Sequence, residues 1–252
     1  MNIGERIHRV ELCSSTNDLM QALALKGAEE GTVIVASGQK KGRGTKKRQW
    51  YSLQGKGLYF SVLLRPKRKE GALIPLLAGV AVSEAISEAC QVQLQIKWPN
   101  DLLWEKRKIG GILSESSFSG ERLSYVILGV GLNLTQNKKD FPAQLQDSAV
   151  SLLMATGKNF SSDLILDACL NSLQRWYCLF KEGEDERILR AIEHLNIFSR
   201  GEEVEMETEN GWLRARFLGL DKFGRMVLEA EGKQRPFLSA EIISPVKYSR
   251  RK

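Results

Sequence analysis

Lys97-Trp98-Pro99-Asn100-Asp101 is followed seven residues on by Lys108-Ile109-Gly110-Gly111-Ile112-Leu113. The two ammonium groups suit a phosphate or carboxylate ligand. Asp101 suits a hard cation such as Mg²⁺, which prefers carboxylate oxygen. Gly110 and Gly111 leave room for a ligand lying flat against the backbone. A second basic segment runs from Gly38 to Trp50, with six cationic side chains, three glycines and a closing tryptophan. Such a loop buries no core. Its glycines let backbone amides approach a ligand, and its charges repel one another until an anion arrives. The Trp50 indole is then available to stack on a ring.

Two further groups add polar atoms. Ser14-Ser15-Thr16-Asn17 offers hydroxyls and an amide, although helix capping alone accounts for these residue types. Gly129-Val130-Gly131-Leu132-Asn133 offers close backbone approach beside an amide. The common phosphate motifs are absent: Arg43 stands where G-x-x-x-x-G-K-[ST] needs its second glycine. G-x-G-x-x-G fails at Lys47 after Gly42-Arg43-Gly44, and at Leu134 after Gly129-Val130-Gly131. Taken singly, the basic loop also reads as a solvated face and Asp101 as a turn residue.

The elements that must position these residues alternate strands and helices. Ile7–Cys13, Thr32–Ser37 and Gly57–Arg65 read as strands. Ser15 or Thr16 caps a helix ending at Gly27, and Pro75 starts a helix to about Ala89. Leu94–Trp98 ends in a turn at Pro99-Asn100-Asp101. Asp101–Trp104 and Lys108–Glu115 form a hairpin, and Leu123–Asn133 is a strand broken by its glycines. Ser161 or Ser162 caps a long helix, and a second spans about Glu184 to Leu195. From Ser199 to Val246 only short strands remain, with turns at Asn210-Gly211 and Phe223-Gly224. This texture predicts a small antiparallel barrel, with a boundary near Phe198.

The chain has 252 residues and a net charge of +7, which favours an anionic partner, nucleotide or nucleic acid. No apolar run approaches the ~18 residues of a membrane span, and the N-terminus lacks the core of a secretion signal. Cys13, Cys90, Cys169 and Cys178 are scattered and read as reduced, in a cytoplasmic protein. With only His8 and His194, no structural zinc is expected.

Together the motifs resemble the biotin protein ligases. The shared pieces are Ser-Thr-Asn, the Gln-x-x-Gly-Arg-Gly…Arg-x-Trp loop, Leu-Tyr-Phe-Ser, Lys-Trp-Pro-Asn-Asp, Lys-x-x-Gly-Ile-Leu and Gly-x-Gly-x-Asn. They fall in the family's order across residues 7 to 133, and Phe141-Pro142 and Ser148–Leu152 resemble the stretch that follows. The resemblance, to the short form without an N-terminal DNA-binding domain, implies an α+β fold. A mixed central sheet flanked by helices would occupy residues 1–198, and a small SH3-like β-barrel residues 199–252.

It implies that biotin is joined to the α-phosphorus of ATP, with Mg²⁺, to give biotinyl-5′-AMP. A lysine of a biotin carboxyl carrier protein then attacks that anhydride. Arg43, Arg48, Lys97 and Lys108 would supply the charges, and Asp101 would accept the proton of the incoming lysine. Ser15, Thr16, Gln39, Gly42, Arg43, Tyr59, Lys108, Gly111 and Ile112 would hold biotin. Arg48, Trp50, Lys97, Asn100, Asp101 and Asn133 would hold ATP, with Asp101 on the metal. No nucleic acid or membrane partner is implied, and relatives include monomers and homodimers.

The family loop usually reads Gly-Arg-Gly-Arg-x-Gly-Arg-x-Trp. Here Thr45 replaces the second arginine and Lys47 the second glycine. Loss of a bidentate donor beside the phosphate implies faster escape of the adenylate, with Lys46 or Lys47 as a partial substitute. Two rival readings remain. A ligase that is also a repressor would need about sixty residues of helix-turn-helix before a pattern that here starts within the first fifteen. A lipoate or octanoate transferase, or a non-catalytic biotin-binding relative, would share the fold.

Overall fold

The computed structural model describes residues 2–68, 71–208, 211–237 and 241–245. A seven-stranded sheet has the order β1-β2-β3-β7-β6-β5-β4. Its strands are β1 (Ile7–Cys13), β2 (Val33–Gln39), β3 (Gly57–Leu64), β4 (Gln95–Lys97), β5 (Asp101–Trp104), β6 (Arg107–Ser119) and β7 (Arg122–Asn133). Only β1 and β2 run parallel, so the chain must cross over between them. Helix α1 (Thr16–Leu25) makes that crossover. Ser15 stands at its N-cap but makes no capping bond with its side chain.

Alternation on β3 separates the two faces. Leu58, Phe60, Val62 and Leu64 face a large core with α2 (Leu73–Cys90). Leu63 faces a smaller core with Met20 and Ala24 of α1. Helix α2 is long and apolar enough to cross a membrane by length and composition, which corrects the expectation that no run approaches such a length. It is mostly buried against the sheet, α4 (Ser162–Glu182) and α5 (Asp185–Leu195), so its apolar surface is core. Strand β7 is not broken at its glycines. Gly129 and Gly131 stay in register with β3 and β6 on either side, and two complete ladders outweigh the weak strand preference of glycine. The short helix α3 (Leu152–Thr156) went unforeseen.

The C-terminal part is a five-stranded antiparallel sheet of order β11-β10-β9-β8-β12. It comprises β8 (Glu203–Thr208), β9 (Gly211–Leu220), β10 (Met226–Ala230), β11 (Lys233–Phe237) and β12 (Glu241–Pro245). The last strand went unforeseen. Asn210 and Leu238, in the expected turn and fourth strand, lie outside the described residues.

Candidate active site

One cavity of about 610 Å³ opens where α1, the basic loop, the β4–β5 turn, the first half of β6 and the end of β7 meet. Its charged rim comes from the β4–β5 turn. Lys97 and Asp101 are register partners across that turn, and the Trp98–Pro99 bond is cis. Asp101 also pairs with Gly111, so β5 carries it to the cavity while β6 returns Lys108. The Lys108 ammonium lies 2.6 Å from Asp101 Oδ1. The Lys108 backbone is clamped from the far side: its amide donates to Ser148 O at 2.7 Å, and its carbonyl accepts from the Val150 amide at 3.0 Å. Ser148, Ala149, Phe141 and Leu145 complete that wall.

The expected amides prove to be braces. Asn100 Nδ2 donates to Ile112 O at 2.9 Å, and Asn100 O accepts from the Ile112 amide at 2.9 Å. Asn133, 4% exposed, donates to Val150 O at 3.0 Å. Both still border the cavity.

The basic loop folds on itself. The Trp50 amide donates to Gly42 O, and the Gly44 amide to Arg48 O. Gly42 is buried beneath the loop and does not line the cavity. A Cβ there would lie 2.6 Å from Trp50 O and Ser52 Oγ, so its role is to let the chain close. Thr45, Lys46 and Arg48 border the cavity above it; the side chain of Lys47 lies outside the description.

Trp50 lies back over the strands: a Cβ on Gly131 would lie 2.6 Å from its Nε1, and one on Gly111 3.5 Å from its ring. Its Nε1 is buried without a partner. The room expected over Gly110 is taken by Leu132, whose Cδ2 a Cβ would approach to 2.6 Å. Of these two glycines Gly111 borders the cavity, and there Trp50 and Lys108 adjoin it.

The opposite end is polar and buried. Ser15, Thr16 and Asn17 are each 3% exposed. Gln39 Oε1 accepts from the Thr16 amide at 2.8 Å, and Gln39 Nε2 donates to Ser52 Oγ at 2.8 Å. Ser61 Oγ donates to Asn17 Oδ1 at 2.6 Å, and Asn17 Nδ2 donates to Glu115 Oε2 at 2.6 Å. The Arg43 guanidinium joins this end, 2.5 Å from Asp18 and 3.0 Å from Glu115. Burial opposes its charge, but Glu115 and Asp18 outweigh that and raise its pKa further.

Asp18 and Glu115 are the charged residues that sequence reasoning missed. Glu115 had a signal: counting by twos from Gly111 puts Leu113 and Glu115 on one face.

Tyr59 corrects the remaining expectation. It is fully buried, does not line the cavity, and donates its hydroxyl to Leu53 O at 3.2 Å. Glycine at 57 permits this, since a Cβ there would lie 2.6 Å from Tyr59 Cζ. Burial holds the phenol well above its ordinary pKa.

Of the fifteen residues expected at the site, thirteen line the cavity, Tyr59 lies beneath it and Gly42 lies inside the loop. Such an arrangement, with cations at a rim, a glycine-floored shelf and a polar end, is that of an enzyme joining an anionic nucleotide to a small acid.

The comparisons agree. Residues 10–133 match the family described as biotin/lipoate A/B protein ligase, and residues 200–243 match the biotin protein ligase C-terminal domain. The chain is 34% identical to the bifunctional ligase/repressor BirA of Bacillus subtilis over 242 residues, 95% of this chain and 74% of that protein. It is 29% identical to the biotin–[acetyl-CoA-carboxylase] ligase of Paracoccus denitrificans, covering 90% and 96% of the two chains. A biotin protein ligase from Aquifex aeolicus, solved with biotin and ATP, superposes with a TM-score of 0.82 at 30% identity. That match covers 94% of this chain and 97% of the other. The chain belongs to the biotin protein ligase family.

Proposed function

We propose that this ligase activates biotin as biotinyl-5′-AMP and transfers it to a lysine of a biotin carboxyl carrier protein. The observation that carries the reading is that Lys108 and Arg43, from two separate segments, border one cavity, Lys108 at its charged rim and Arg43 at its buried polar end. A carboxylate forms no amide with lysine until its oxygen can leave. In the first step a biotin carboxylate oxygen bonds to the α-phosphorus of ATP and pyrophosphate departs. In the second the lysine nitrogen bonds to the biotin carbonyl, AMP leaves, and the nitrogen loses a proton.

Lys108 would lie between the biotin carboxylate and the α-phosphate, where negative charge must be offset before two anions meet. Arg48 and Lys97 would face the triphosphate, and Trp50 would stack on adenine. The buried Ser15, Thr16 and Gln39 group supports binding of the ureido ring, whose donors and acceptors need partners when desolvated. Mg²⁺ would supply charge on the triphosphate. Asp101 offers it one carboxylate, and no cluster of three metal-binding side chains exists among the described residues. A single carboxylate fits an ion that arrives with the nucleotide and keeps most of its waters.

We assign the basic loop to the triphosphate rather than nucleic acid, residues 1–198 to catalysis and 199–252 to a second domain. We place the protein in the cytoplasm, a reading supported by four free cysteines. The test is biotin-dependent exchange of labelled pyrophosphate into ATP. The wild type exchanges and Lys108→Ala does not; an enzyme that never exchanges, with biotin saturating, sinks the proposal.

A further inference from the structure

The C-terminal sheet reaches the cavity through one side chain. Trp98 sits between Lys97 and Asn100 and is 3% exposed. Its indole N–H donates to Gly224 O at 3.0 Å. Gly224 lies in the turn joining β9 to β10, with φ +75, a conformation that favours glycine. A Cβ there would lie 2.5 Å from Leu76 Cδ1 and 2.9 Å from Leu73 Cδ2, so the turn is seated on the start of α2.

The turn is internally fixed. The Asp221 carboxylate accepts from the amides of Phe223 and Arg225 at 2.9 and 3.0 Å, and from Arg225 Nε at 2.6 Å. Asp221 itself does not border the cavity. Strand β4 needs such support, because it has three residues and stands at the edge of its sheet. Beyond its ladder with β5, it is held by the Ile197 amide, which donates to Ile96 O at 3.0 Å. Lys97 is therefore flanked by two attachments, one from the segment after α5 and one from the β9–β10 turn.

We infer that the Asp221–Arg225 turn is a positioning element for the Lys97–Asp101 rim, acting through the Trp98–Gly224 hydrogen bond. Trp98, Gly224 and Asp221 are its positioning residues. The inference rests on the proposed placement of the triphosphate at that rim. Because the polar end beneath α1 is built from different elements, loosening the turn weakens nucleotide binding and leaves biotin binding intact.

The experiment uses the whole chain with Trp98→Phe, Asp221→Ala and Asp221→Asn. Biotin affinity is measured by calorimetry, pyrophosphate exchange as a function of ATP, and melting temperature in parallel. Trp98→Phe keeps an aromatic ring, loses the indole N–H and strands the Gly224 carbonyl, so KM for ATP rises about tenfold, the scale of one lost buried hydrogen bond. Asp221→Ala raises it similarly, and Asp221→Asn, which keeps one acceptor oxygen, raises it less. Biotin affinity stays at the wild-type value in all three. An unchanged KM for ATP overturns the inference, as does a loss of biotin affinity in step with it, which marks general loosening of the fold. A wild-type enzyme that binds biotin but shows no ATP-dependent exchange overturns the nucleotide assignment itself, and the inference with it.

Discussion

The ammonium of Lys108 and the carboxylate of Asp101 stand 2.6 Å apart, on strands that meet through the β5–β6 pairing. Each neutralises the other before any ligand arrives. Their side chains are 36% and 28% exposed. A pair that open to water contributes about 1 kcal/mol or less to stability. Its loss therefore costs the fold little.

Lys108→Ala therefore melts within a few degrees of the wild type, since ~1 kcal/mol corresponds to a small shift in a chain of this size. The same variant loses biotin-dependent pyrophosphate exchange. Calorimetric melting and the exchange assay on one preparation check both halves. A variant that exchanges at the wild-type rate would remove Lys108 from the reaction.

Asp101 separates the two steps. A lysine amine has a reference pKa of ~10.4 and must shed a proton before attack. Asp101→Asn keeps the size of the side chain and loses the basic oxygen. Supplied with preformed biotinyl-5′-AMP, it transfers biotin to carrier protein more slowly than the wild type. Transfer at full rate would show that another group accepts the proton.

Thr45 borders the cavity in the turn Thr45–Lys47, where Lys46 takes φ 54. A hydroxyl there holds phosphate less firmly than a guanidinium, which offers two parallel donors. Thr45→Arg retains the adenylate longer, so self-biotinylation and labelling of bystander lysines fall. Streptavidin blots of enzyme incubated with biotin and ATP, without carrier, measure the change; equal labelling would remove Thr45 as the cause of any leak.

Most strands were legible from short apolar runs such as β3, buried on both faces, or from alternation as in β4. The departures have local causes. Gly129 and Gly131 read as a break by intrinsic preference, yet β3 and β6 hold them extended on both sides. Tyr59 belongs to a recognisable motif and shares a face with Ser61, but Gly57 lets its ring lie back along the strand and under Leu53. Arg43 was legible as a cation. Its partners were not, because Asp18 and Glu115 lie 25 and 72 residues from it and meet only through the fold. Cys13 is half-buried, and burial followed by the Asp18 charge raises its pKa.

Gly129 tests the polar end. A Cβ there would overlap Asn17 Oδ1 and lie 3.1 Å from its Cγ. Asn17 has little freedom to yield, since Ser61 and Glu115 hold its amide. Gly129→Ala overpacks the site at a cost of about 1–3 kcal/mol, and biotin affinity falls with it. Calorimetric titration with biotin gives the measure, and wild-type affinity would show that Asn17 moves aside freely.

Glu84 offers a test of stability away from the cavity. It joins α2 to α4, accepting at Oε2 from Ser172 Oγ at 2.6 Å and Trp176 Nε1 at 2.7 Å, with the Arg175 guanidinium at 3.1 Å. Burial works against the carboxylate, but these hydrogen bonds and the Arg175 charge outweigh it and lower the pKa below 4.5. The sign follows. A carboxyl that is more acidic folded than unfolded stabilises the fold at pH above 4.5, and that contribution fades as pH falls from there through the folded value. Glu84→Gln removes the charge and keeps the shape. At pH 7 it lowers the unfolding free energy by about 1 kcal/mol, a charged hydrogen-bond contribution discounted for partial exposure. The gap between wild type and variant then narrows as the solution is made more acidic than the ordinary carboxylate range. Urea unfolding at pH 7 and in steps below 4.5 measures it, and a gap that stays constant with pH would mean that Glu84 acts by packing alone.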